Sequence, residues 1–71
     1  MADADLTPEG RSVLAALAAI EDAGAVQTVQ TVANVSRVSF SVVFSLLNDL
    51  FRQGLVTVDL RPTPTGRAAL S

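Results

Sequence analysis

Apolar residues recur along this chain at two different periods, and the change of period divides it into elements. Val13, Leu14, Leu17 and Ile20 repeat at helical spacing, which aligns them on one side of a helix. Thr7-Pro8-Glu9 opens that helix. The Thr7 hydroxyl can cap it, Pro8 suits its first turn, and Glu9 meets the positive end of its dipole. Gly24 stops it, so the first helix lies within residues 6–24. Thr28 then starts a short second helix from Val29 to about Val35. Ser36-Arg37-Val38 makes a turn, Ser39 caps a third helix from Phe40 to Gln53, and Gly54 ends it. Within the third helix Val43, Leu46, Leu47 and Leu50 form the stripe expected to face the first two helices.

After Gly54 the period changes. Leu55 to Leu60 (LVTVDL) is β-rich and reads as a strand that Arg61-Pro62 must break. Ala25-Val26-Gln27 is short and can add a further strand beside it. Thr63-Pro64-Thr65-Gly66-Arg67-x-x-Leu70 echoes Thr7-Pro8-Glu9-Gly10-Arg11-x-x-Leu14, which we read as one capping solution used twice and not as a structural repeat. It predicts a short last helix over 63–70.

Size narrows the options. The 71 residues suffice for one domain spanning 1–71. A chain this short buries only about 60% of its unfolded surface, so its stability is expected to be modest. Apolar residues make up 49% of the chain and cysteine is absent, so apolar helices or a partner chain, not disulfides, must supply the core. The acidic start MADADLTPEG has no basic-then-apolar block, and the longest uncharged run, Val38 to Asn48, is too short to span a bilayer. The expectation is a soluble, cytoplasmic protein without a signal peptide.

Charge complicates this. Five Arg and no Lys oppose seven acids for a net charge of −2, with an isoelectric point near 4.6. A strong nucleic-acid binder usually runs the other way. The acids cluster, however. Asp3, Asp5 and Glu9 lie near the start, and Glu21 and Asp22 at the end of the first helix, where they are either held by an Arg or solvated. From Ala23 onward Arg37, Arg52, Arg61 and Arg67 stand against Asp49 and Asp59, so that part is mildly basic.

Ala33, Val38, Val43 and Leu46 fall where a helix-turn-helix places its inward residues. The run Leu46-Leu47-x-x-Leu50-x-x-x-Gly54-Leu55-Val56 resembles the junction between recognition helix and wing in winged-helix regulators, the MarR-like group among them. Thr63-Pro64-Thr65-Gly66 is similar to the helix start that follows the wing in that group. The resemblance implies a mainly α fold with a small β wing: a winged helix-turn-helix with a three-helix core plus a short C-terminal helix. Its parts would be helix 1 over 6–24, helix-turn-helix over 28–53, wing over 55–62 and last helix over 63–70. It also implies that the third helix enters the major groove of DNA. Three departures stand out. Arg37 replaces the glycine common at that turn position, the wing loop is nearly absent, and the usual long dimer helix is cut to barely two turns before Ser71.

At 100° per residue, Ser41, Ser45, Asn48, Asp49 and Arg52 form the arc of the third helix opposite its core stripe. Ser39, Ser41 and Ser45 can hydrogen-bond either base edge, and Asn48 suits adenine. Arg37, Arg52, Arg61 and Arg67 are phosphate candidates; for Arg52, a surface pair with Asp49 three residues away competes with that role. Phe40, Phe44 and Phe51 lie within about 40° of one another beside the core stripe. Three roles are open to them: widening the core, forming an exposed surface for a partner or a second copy, or touching thymine methyls. Burying each would gain roughly 1.5–3 kcal/mol, so they press to be covered.

Catalysis is hard to build from this composition. With no His, Cys, Lys, Tyr or Trp, the usual bases and nucleophiles lack candidates, and no glycine pattern marks a nucleotide loop. No metal, cofactor or small-molecule ligand is suggested, and the chain does not read as an enzyme. The leading expectation is a small winged-helix DNA-binding protein, a transcriptional regulator that acts on double-stranded DNA as a homodimer. Its DNA contacts would be Arg37, Ser39, Ser41, Ser45, Asn48, Arg52 and Arg61, and its dimer or partner surface Phe40, Phe44 and Phe51. The alternative is a winged-helix interaction module that meets a protein through the Phe stripe and binds no DNA.

Overall fold

The computed structural model describes residues 6–70; Met1–Asp5, with the acidic positions Asp3 and Asp5, and Ser71 lie outside the described residues. Four helices follow in order: α1 (Pro8–Asp22), α2 (Val29–Ser36), α3 (Phe40–Arg52) and α4 (Pro64–Ala69). The first three pack on one another into a small all-α domain, and short α4 joins it with Ala69 and Leu70 packed against the core.

The α1 stripe supplies the middle of the core. Val13, Leu14, Leu17 and Ile20 are buried against Val32 and Ala33 of α2 and against Val43, Leu47 and Leu50 of α3. Leu46 and Val38 pack against this cluster while partly exposed, so all four expected inward positions of the helix-turn-helix face the core. No polar or charged residue is buried among the described residues. The core is therefore held by apolar burial alone, and polar contacts act at its edges.

Helix ends follow local chemistry. The Thr7 and Thr63 hydroxyls each accept a hydrogen bond from the backbone N–H three residues on, Gly10 and Gly66, both at 3.0 Å. The echoed Thr-Pro-x-Gly segments are thus the same N-cap built twice. Thr28 caps α2 in the same way, accepting from Thr31 N–H at 3.1 Å. Ser39 sits at the N-cap position of α3, but contrary to expectation its hydroxyl makes no capping bond. At the other end of α3, Gly54 takes φ +76. Its N–H bonds to the Phe51 carbonyl, and Leu55 N–H reaches back to Leu50, which closes a Schellman motif. That motif turns Leu55 inward, where it is 1% exposed.

The expected β wing over 55–62 does not form as strands. Among the described residues the only β pairing is a single antiparallel bridge between Val56 and Pro62. Thr57 N–H donates to the Arg61 carbonyl at 2.8 Å, and Thr63 N–H to the Leu55 carbonyl at 2.9 Å. The reason is local. Pro62 has no N–H to extend a ladder, and Leu60 is forced to φ +60 to reverse the chain so soon after Val56. Ala25-Val26-Gln27 adds no strand either. Instead the Gln27 side-chain amide donates to the carbonyls of Leu17 at 3.1 Å and Leu60 at 2.7 Å, tying the 57–61 loop to α1.

Gly66 allows α4 to lie directly on the Leu55 carbonyl; a Cβ at that position would collide with it. Gly10, its counterpart, would place a Cβ 3.2 Å from the Thr7 hydroxyl, a contact that a small shift relieves. The two glycines of the echoed motif are therefore not equivalent. Gly66→Ala is expected to cost roughly 2–4 kcal/mol, and Gly10→Ala to stay within about 1 kcal/mol because alanine's helix propensity offsets the crowding. Urea unfolding followed by circular dichroism measures both; equal midpoints would contradict the close packing at Gly66.

Candidate nucleic-acid interface

The turn between α2 and α3 is made by Arg37 with φ 61 and ψ 29, in the left-handed region. Its N–H bonds to the Ala33 carbonyl at 2.9 Å. Arginine thus adopts the conformation that glycine would take at lower cost, and the tight turn survives the replacement. Because backbone contacts hold the turn, the guanidinium is left outside it, and Arg37 is exposed.

Beyond the turn, α3 presents three arcs. Val43, Leu47 and Leu50 point into the core. Ser41, Ser45, Asn48, Asp49 and Arg52 face solvent, as do Ser39 before the helix and Arg61 in the loop beyond it. Among the described residues, none of these side chains makes a hydrogen bond or ion pair within the chain, and the expected Asp49–Arg52 pair is not formed. All seven residues expected to contact DNA are therefore exposed.

The remaining arginines are engaged elsewhere. Arg67 pairs with Glu21 and, at 3.0 Å, with Asp22, so the phosphate role considered for it does not fit. Those hydrogen bonds, first to Glu21 and then to Asp22, push its guanidinium still higher in pKa than an ordinary arginine. This resolves the two acids left at the negative end of the α1 dipole: an Arg holds them. Arg11, which sequence reasoning passed over, donates to the Ala69 and Leu70 carbonyls at 3.2 and 3.0 Å and closes the end of α4. The two arginines of the echoed motif are thus crossed clamps between α1 and α4.

The third arc belongs to the phenylalanines. Phe40, Phe44 and Phe51 are 49%, 62% and 48% exposed, so they do not widen the core. Phe40 and Phe44 meet edge to face with ring centres 6.5 Å apart. Phe44, Asn48 and Phe51 form one wall of an open groove of about 300 Å³; Val29, Val58 and Leu60 line the other side. Val58, at the rim, is 75% exposed. Helical period sets the angle of the Phe stripe but not its cover. The 57–61 loop turns back too early to lie over it.

No protein-family model matches the chain, and no curated protein or solved structure matches it either.

The left-handed turn gives a measurable consequence. Arg37→Gly is expected to raise stability by about 0.5–1 kcal/mol, since relief of the left-handed strain outweighs glycine's larger unfolded-state entropy. Thermal unfolding by calorimetry would register a higher midpoint. A lower midpoint would mean that the arginine side chain stabilises the turn by contacts of its own.

Proposed function

We propose that this chain is a small helix-turn-helix DNA-binding protein of the winged type, a transcriptional regulator that reads double-stranded DNA with α3 and acts as a pair of copies. The observation that carries this reading is the division of the five arginines. Arg11 and Arg67 are engaged in side-chain contacts within the chain, while among the described residues the side chains of Arg37 and Arg52 at the two ends of α3, and of Arg61 in the loop beyond it, make none; the outward arc of that helix is Ser41, Ser45, Asn48, Asp49 and Arg52. Helix α3 has 13 residues, a length of about 20 Å. Laid in a major groove about 12 Å wide, it would bring Arg37 and Arg52 at its two ends towards the flanking phosphates. The free Ser39 hydroxyl at its start and the two serines behind it suit base edges. The single Val56–Pro62 bridge stands in for the wing, and Arg61 beside it faces the Gly24–Gln27 connection between α1 and α2.

Three phosphate contacts per copy are few. They would give a salt slope of only about −2.7 for one copy and about −5 for two on a two-fold site, so useful affinity calls for two copies. Two of the acids, Glu21 and Asp22, are paired with Arg67 at the end of α1, whereas Asp49 stands exposed on the outward arc of α3.

A second reading has its own support. The half-exposed Phe40, Phe44 and Phe51 on α3 suit a protein-binding module that has no use for DNA. Fluorescence anisotropy with a labelled mixed-sequence duplex, at about 50 and 200 mM salt, separates the two. DNA binding predicts an affinity that falls at the higher salt and is lost in Arg52→Glu, with the unfolding midpoint nearly unchanged. A flat titration at both salts would reject the DNA reading in favour of the protein partner.

A further inference from the structure

Helix α3 carries no cation before Arg52, its last residue. Its N-terminal half, whose residues contact base edges in a helix-turn-helix, exposes Phe40, Ser41, Val42, Phe44 and Ser45, none of them charged. Phe40 and Phe44 meet edge to face there, and Phe44, 62% exposed, is the barest of the three rings. At 100° per residue Phe44 stands about 40° from Asn48 and about 60° from Ser41, at the margin of the outward arc. A helix laid in the groove on Ser41, Ser45 and Asn48 therefore brings Phe44 to the base edges with them. We propose that α3 reads A·T pairs, with Phe44, backed by Phe40, on the C5 methyl groups of thymines and Asn48 on adenine; this inference rests on the DNA-binding reading above.

The chemistry of the groove floor selects the thymine methyl. Every base edge there offers hydrogen-bond donors or acceptors, and the only apolar group is the methyl of thymine. A ring set against guanine N7 and O6, or against the cytosine amine, strips water from them and returns no hydrogen bond. Set against a methyl, it strips no polar atom and takes apolar surface out of water on both sides. Guanine is most often read by Arg or Lys, and the N-terminal half of α3 has neither. Asp49, the one acid of the helix, lies at the opposite margin of the arc, about 140° from Phe44 and in the C-terminal half. Charge complementarity to the duplex comes from Arg37 and Arg52, exposed at the two ends of α3. Phosphates then anchor the helix by its ends while its uncharged N-terminal half meets the bases.

Removing the methyls without touching any hydrogen-bonding group tests this. Labelled duplexes of about 20 base pairs, titrated at about 50 and 200 mM salt, carry alternating A·T, the same with deoxyuridine for thymidine, or alternating G·C. Burial of one methyl corresponds to about a fourfold change in affinity, so wild type should bind the thymine duplex at least about fourfold more tightly than the uracil duplex. It should bind the G·C duplex more weakly than the thymine duplex, with the same salt slope. Phe44→Ser should erase the thymine-over-uracil preference while the helical spectrum and the salt slope stay as they are. Phe44→Leu, still apolar, should keep the preference, and so should Phe51→Ser, which lies outside the N-terminal half. Equal binding of the thymine and uracil duplexes by wild type, or a preference that survives Phe44→Ser, would overturn the inference and leave the DNA reading standing. Binding to none of the duplexes at either salt would overturn the DNA reading and the inference with it.

Discussion

Removing the α1 stripe would leave α2 and α3 with almost nothing to fold against, because Val13, Leu14, Leu17 and Ile20 contribute the apolar surface that both shorter helices bury. An eight-residue helix such as α2 is too short to hold its shape alone in water. It exists because Val32 and Ala33 are pressed onto α1. Helix α3 depends on the same surface through Val43, Leu47 and Leu50. Among the described residues no polar group is buried in the core, and the periphery adds only partly buried apolar contacts such as Leu60, Ala69 and Leu70. Gln27, Arg11 and Arg67 tie that periphery down with hydrogen bonds to carbonyls and carboxylates. Surface contacts of this kind are individually weak, which suits a small domain of modest stability.

What the sequence made legible was whatever is decided within a few residues. Thr7, Thr28 and Thr63 as caps, Gly24 and Gly54 as stops, and the inward stripes of α1 and α3 all follow from local hydrogen bonding and helical period. The wing misled because strand character in Leu55–Leu60 is a property of the segment, whereas a strand also needs a partner of matching length. Pro62 and the left-handed Leu60 limit that partner to one bridge. Likewise the clamps were out of reach of local reasoning. Arg11 bonds to residues 58 and 59 positions away, and Gln27 bridges to Leu60, 33 positions away. The echoed motif hinted at equivalent arginines, yet nothing in it said that each would close the other's helix.

The phenylalanines show where helical period stops being informative. It placed Phe40, Phe44 and Phe51 on one side of α3, between core and solvent, and left their cover open. Cover depends on where the 57–61 loop goes, and that loop is fixed by Gln27 and by the Val56–Pro62 bridge. Held in this way, it forms the far wall of a groove instead of a lid. The half-exposed rings are therefore a consequence of that short turn.

The bare stripe traces to the stretch between Gly54 and Thr63, which is a turn with a single β bridge. The outward polar arc of α3 and its bare aromatic stripe adjoin, and Asn48, which lines the groove and belongs to the outward arc, sits where they meet.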